Sequence, residues 1–178
     1  WRMLCQTGHF PRDTPPDLRV ATYAGQRSTA ELVDRYELRD PLIRQLLIDY
    51  ITRRRADSDY GHAERMARAL AGLFWKAIET INADQPSTLQ LDQSTYAQWR
   101  EGLNWLANGS RRKDPHGTLI LVRALYTDIQ SWATEDPSQW GRWAVPCPIP
   151  YGELRGYGKR RRRLKERIDD RIRVRQPL

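Results

Sequence analysis

Clustered cations are the residues here whose types and spacing point most directly to chemistry, and that chemistry is neutralisation of a polyanion. Lys159, Arg160, Arg161, Arg162 and Arg163 stand consecutively. Five adjacent cations repel one another unless anions lie alongside. Nucleic-acid backbone answers that need, because each neutralised phosphate releases condensed counterion. A nuclear-localisation-like patch and a tether to acidic membrane are competing readings. The run has no amphipathic apolar partner and no lipidation motif, which disfavours the membrane. The signal speaks for a polyanion and says little about sequence specificity.

Smaller basic groups recur upstream. Arg65, Arg68, Gly72 and Lys76 fall at i, i+3, i+7 and i+11, one polar face of a helix. Cations one and two turns apart meet successive phosphates, and a glycine between them lets backbone approach backbone. The alternative is a merely solvated face. Arg111, Arg112 and Lys113 precede another helix, whose N-terminus favours phosphate through its free N–H groups and dipole. That helix carries an edge of His116, Ile120, Arg123, Thr127 and Gln130, with Arg123 a weaker DNA candidate because a salt bridge would also explain it. Arg53, Arg54 and Arg55 end a helix, where cations complement the dipole and a structural role suffices.

Catalytic patterns are missing. The sequence holds no P-loop, no G-x-S-x-G, no H-E-x-x-H and no metal-spaced acid cluster. Asp57 and Asp59 near His62 read as a solvated helix start. Cys5 and Cys147 stand far apart, and His9, His62 and His116 have no ligand-like spacing to either. No cofactor, metal or small-molecule substrate is expected.

Five helices must position these groups. Ser28 with Glu31 forms a capping box for a short helix near 29–36. Asp40-Pro41 starts a second, whose stripe of Leu42, Ile43, Leu46, Leu47, Tyr50 and Ile51 runs to about residue 55. A third spans about 60–82 with Met66, Leu70, Leu73, Phe74, Ala77, Ile78 and Ile81 inward. A fourth, near 94–107, presents Tyr96, Trp99, Leu103 and Leu106. A fifth, about 115–134, carries Leu119, Val122, Leu125, Tyr126, Ile129, Trp132 and Ala133. The fold class is therefore all-α, a compact helical bundle with an irregular N-terminal segment and a basic C-terminal extension. The expected core is Leu46, Leu47, Leu70, Phe74, Ile78, Trp99, Leu103, Val122, Leu125, Ile129 and Trp132.

Charge is unevenly spread. Between Lys159 and Arg175 ten Lys/Arg face three acids, a local +7, so the remaining residues carry +1 of the formal +8. Any contact by the helical body must come from a local basic face. A mean hydropathy of −0.77 suits a water-soluble protein, and no apolar run reaches the ~18 residues of a membrane span. Without a secretory leader, the location is read as cytoplasmic. The chain opens at Trp1 and stops at Leu178 as if cut, so it is read as part of a longer protein.

The sequence also resembles the N-terminal part of tyrosine recombinases, the large phage-type integrases of actinobacterial mobile elements. The stretches that carry this are Arg39-Asp40-Pro41-Leu42-Ile43-Arg44, Leu73-Phe74-Trp75, and 122–129 from Val122 to Ile129. Trp132 to Pro137, Trp143 to Ile149 and the Lys159–Arg163 run complete it. The resemblance covers about 39 to 175 and rests largely on packing positions plus a basic linker. It implies a SAM-like core-binding domain that grips double-stranded DNA opposite a catalytic domain. Residues 1–38 would then be an irregular segment, 39–144 the core-binding domain, 145–158 a Pro/Gly-rich connector and 159–178 the linker. In that family an Arg/Lys/His set activates a phosphate for attack by a Tyr. None of that set is assignable here, so this chain by itself is not expected to exchange strands. Neither Tyr126 nor Tyr157 is read as a nucleophile. Self-association on DNA is left open. A stand-alone regulator binding a specific operator, and a helical protein-interaction module with a basic tether, are the alternatives.

Overall fold

Side-chain caps mark where the helices begin. The computed structural model describes residues 25–56 and 59–154; the 1–24 segment and residues 155–178, with the Lys159–Arg163 run, lie outside the described residues. Helix α1 (Thr29–Asp34) has the expected box, with Ser28 and Glu31 each accepting from the other's backbone N–H. Helix α2 (Pro41–Arg55) starts at Asp40, whose carboxylate accepts from the Leu42 and Ile43 amides. Asp59 caps α3 (60–81) through the His62 amide, and Asp92 caps α4 (Gln93–Gly102) through Thr95. Helix α5 (His116–Glu135) follows Asp114, and α6 (Pro137–Trp140) follows Asp136. Short 3₁₀ turns at Gly141–Trp143 and Tyr151–Leu154 finish the described chain. The fold is all-α: among the described residues only a lone bridge, Trp105 to Arg111, has strand-like pairing.

Helix α3 is not uniform. Tyr60–Ala67 is α-helical, Arg68–Trp75 is a π-helix, and Lys76–Ile81 returns to α. The Lys76 amide bonds the Ala71 carbonyl, five residues back. A π turn takes more residues than the 3.6 of an α turn, so faces read at α spacing drift apart across it.

The core gathers around α3 and α5. Phe74 lies 5.0 Å from the Trp99 ring centroid and 6.4 Å from that of Tyr126, both edge-on. Aromatic pairs so arranged add about 0.5–1.5 kcal/mol beyond the area they bury. The Trp99 indole donates to the Leu73 carbonyl at 2.8 Å, tying α4 to the π segment. Ten of the expected core residues are buried, and Trp132 is half-buried between Tyr50 and Trp140, with the Arg53 guanidinium 4.2 Å above its ring. Buried Glu79 anchors the start of α2 by accepting from the Arg39 and Asp40 amides.

The end of α4 differs from the sequence expectation. Helix α4 stops at Gly102, short of 107, and Trp105 and Leu106 stand exposed. The chain folds back there: the Leu106 amide bonds the Ser110 carbonyl, the Arg112 amide bonds Asn104, and Gly109 takes a positive φ of 75°. Local loop hydrogen bonds outcompete the last helical turn.

The Pro-rich stretch after Trp143 lies against the bundle. Ile149 is buried, Gln130 donates to the Val145 carbonyl at 2.7 Å, and the Tyr96 hydroxyl donates to Glu153 at 2.9 Å. Arg100 also pairs with Glu153. At least to residue 154 this Pro/Gly-rich connector is a strap held against the bundle.

Candidate nucleic-acid interface

The cations proposed for phosphate divide into two groups by what surrounds them. Arg65 and Arg68 are exposed on the first half of α3, and their side chains line one wall of an open groove of about 1150 Å³. The opposite wall is the loop before α5, with Arg112, Lys113 and Asp114, and then His116 on the first turn of α5. His62 lies beside Arg65, its Nδ1 3.5 Å from the guanidinium. The same groove is lined by exposed Ile120, half-buried Leu73 and Leu121, and buried Ala69. Residues about fifty apart in sequence thus meet because α3 packs along α5.

Electrostatics favour an anion in this groove. Four cations and one carboxylate line it, and like charges in a concave site focus the field on a counter-ion. Arg65, Arg68 and Lys113 make no salt bridge with any described residue. Arg112 plays a double part. Its Nε donates to the Leu103 carbonyl at 2.9 Å and its Nη2 to that of Trp105, so it shapes the loop as well as lining the groove.

Other expected contacts are used differently. Gly72 faces Tyr36: a Cβ there would sit 2.5 Å from the ring. Its missing side chain makes room for an internal tyrosine, which corrects the reading of it as a gap for DNA backbone. Lys76 donates to the Glu37 carbonyl at 2.6 Å, at a turn where Glu37 has a φ of 49°. Both residues lie past the start of the π segment, where the α-helical face no longer continues. Arg123 is half-buried and donates to the Ile149 carbonyl at 3.4 Å, holding the strap. Arg111 is exposed on the loop but is not among the groove-lining residues.

The N-terminus of α5 is also occupied. Asp114 accepts from the His116 and Gly117 amides at 3.1 and 3.3 Å. An internal carboxylate takes the place expected for phosphate. Attraction for an anion must therefore come from side chains. The Arg53–Arg55 group is structural: Arg53 pairs with Glu135, Arg54 with Asp128, and Arg55 bonds Gln26.

No family model, curated protein or solved structure matches the chain. Among the described residues no group of three or more His, Cys, Asp or Glu is placed to hold a metal, and no helix is long and apolar enough to cross a membrane. The Tyr126 hydroxyl donates to the Leu89 carbonyl at 2.6 Å inside the core, and burial pushes its pKa up. It is a packing residue; Tyr157 lies outside the described residues.

The cations are legible in the sequence, but the apolar side chains that share their groove are not. Ile120 alone on a polar helix edge was their one visible sign. The histidines were legible as residues but not as lining of one groove.

Proposed function

We propose that this chain is a DNA-binding region that grips double-stranded DNA through the α3/α5 groove and the Lys159–Arg163 run. The single observation that supports the reading is the meeting of Arg65, Arg68, Arg112 and Lys113 on one groove with only Asp114 opposing them. Phosphate neutralisation is the most economical use of such an arrangement. The resemblance to tyrosine recombinases makes the bound DNA one half of a recombination site, with the parent protein acting in a bacterial cytoplasm. Strand-exchange chemistry is assigned to none of the residues here.

Titrating a labelled duplex from low to high salt tests this. Each phosphate contact steepens the dependence of log K on log salt by about 0.9. Arg65→Ala with Arg68→Ala is expected to flatten the slope by roughly two contacts' worth, and neutralising 159–163 to flatten it further. A salt-independent or absent interaction overturns the reading. Affinity for one operator far above that for random duplex would favour a stand-alone regulator instead.

A second reading has one observation in its favour. Trp105 and Leu106 are adjacent and exposed, at 47% and 38%, as a protein-interaction module would require. Loss of partner binding without loss of DNA binding in Trp105→Ser would identify that role.

A further inference from the structure

The apolar side chains of Leu73, Ile120 and Leu121 line the same groove as the cations, and they have no use in gripping paired DNA. A duplex presents sugar and charged phosphate outward, and its bases turn only their edges to the grooves. Hydrated phosphates gain nothing from an aliphatic surface. An unpaired base does, because its exposed face is flat and poorly hydrated. Proteins that hold such bases place them against apolar side chains, imidazoles or guanidinium planes.

The groove supplies all three. Ile120, in the second turn of α5, is 37% exposed. Imidazoles stand on both walls, His62 beside Arg65 and His116 at the start of α5. The volume of about 1150 Å³ exceeds the ~300–1,000 Å³ of common small-ligand pockets, leaving room for a nucleotide and its flanking phosphates. Charge also narrows the occupant. The chain's own Lys159–Arg163 run has the sign of the walls and is repelled, whereas a nucleic-acid strand combines an apolar face with flanking anions.

We infer that the α3/α5 groove receives an unpaired nucleotide of a DNA strand, its base on the Leu73–Ile120–Leu121 strip between His62 and His116 and its flanking phosphates on Arg65, Arg68 and Lys113. The inference rests on the DNA-binding reading and deepens it from duplex in general to duplex carrying an extruded or unpaired base.

The test uses the full chain and three DNAs of one sequence: a fully paired duplex, the same duplex with one bulged 2-aminopurine, and the labelled single strand. The bulged duplex is expected to bind about tenfold more tightly than the paired one, the order expected for one stacked base, with a change in 2-aminopurine fluorescence. Ile120→Gln, at an exposed position, is expected to bring the bulged-to-paired affinity ratio towards one, and His116→Ala to lower it. A ratio cancels any loss of folded protein. Equal affinity for bulged and paired duplex overturns the inference while leaving DNA binding intact. Absence of salt-dependent binding to all three DNAs overturns the DNA reading itself. Displacement of the bulged DNA by a poly-glutamate peptide at equal charge concentration also overturns the inference, since it would show an acidic chain to be the better occupant.

Discussion

Lys76 donates to the carbonyl of a left-handed Glu37, whereas Arg65 stands exposed on the groove wall with His62 3.5 Å away. Two cations of one helix thus have different expected phenotypes. Lys76→Ala should lower the melting temperature and leave the salt slope unchanged; Arg65→Ala should do the reverse. Calorimetry beside a salt titration separates the two. Gly72→Ala belongs with Lys76. Its added methyl meets an aromatic ring at 2.5 Å, so Tyr36 must move, a strain costing about 1–3 kcal/mol. Chemical denaturation would show it as a lower midpoint. If Gly72→Ala instead weakens DNA binding at unchanged stability, the glycine serves the ligand after all. At this scale the sequence showed which residues carry charge. It was silent on which charges the fold itself consumes, because a carbonyl partner such as that of Glu37 or Ile149 has no signature in side-chain type.

Four helix starts were written locally, in Ser28, Asp40, Asp59 and Asp92, because a cap acts within three residues of itself. Helix ends and helix type were less legible. The π segment 68–75 has no local marker, and α4 ends where a returning loop offers better bonds than another turn. The strap shows the same dependence on distant partners. Its prolines announced irregular chain, but its attachment depends on Ile149, which is 2% exposed, and on Gln130, Tyr96 and Arg100 from two helices. Ile149→Ala is expected to cost about 2–5 kcal/mol and to open 145–154 to limited proteolysis. Unchanged cleavage there would mean that the polar contacts hold the strap alone. Phe74→Ala, at the meeting of α3, α4 and α5, should cost about 3–5 kcal/mol and lower the cooperativity of unfolding.

Across the whole molecule, acid should loosen the fold in a defined direction. Thr95 hydroxyl and amide donors hold the Asp92 carboxyl below its ordinary range, Ser138 and Gln139 do the same for Asp136, and the Arg44 guanidinium does so for Asp34. Groups depressed in the folded state contribute stability above their unfolded pKa, about 3.9 for Asp, and lose it as pH falls through the folded value. Melting temperature should therefore hold down to about pH 4 and drop below it. Asp92→Asn should begin lower and fall less steeply, as melting curves across that range would reveal. The sequence by itself determined the all-α class, the starts of the first five helices, most of the core and the location of the charge. All of these follow from residue type and short-range periodicity. Only the tertiary structure decided that Arg65 and Arg68 share a groove with Arg112 and Lys113, that aliphatic side chains line that same groove, and that Gly72, Lys76 and Arg123 serve the fold. The physical reason is that packing two helices brings together side chains fifty residues apart, and helical period specifies which face of a helix is apolar but not which neighbour that face will meet.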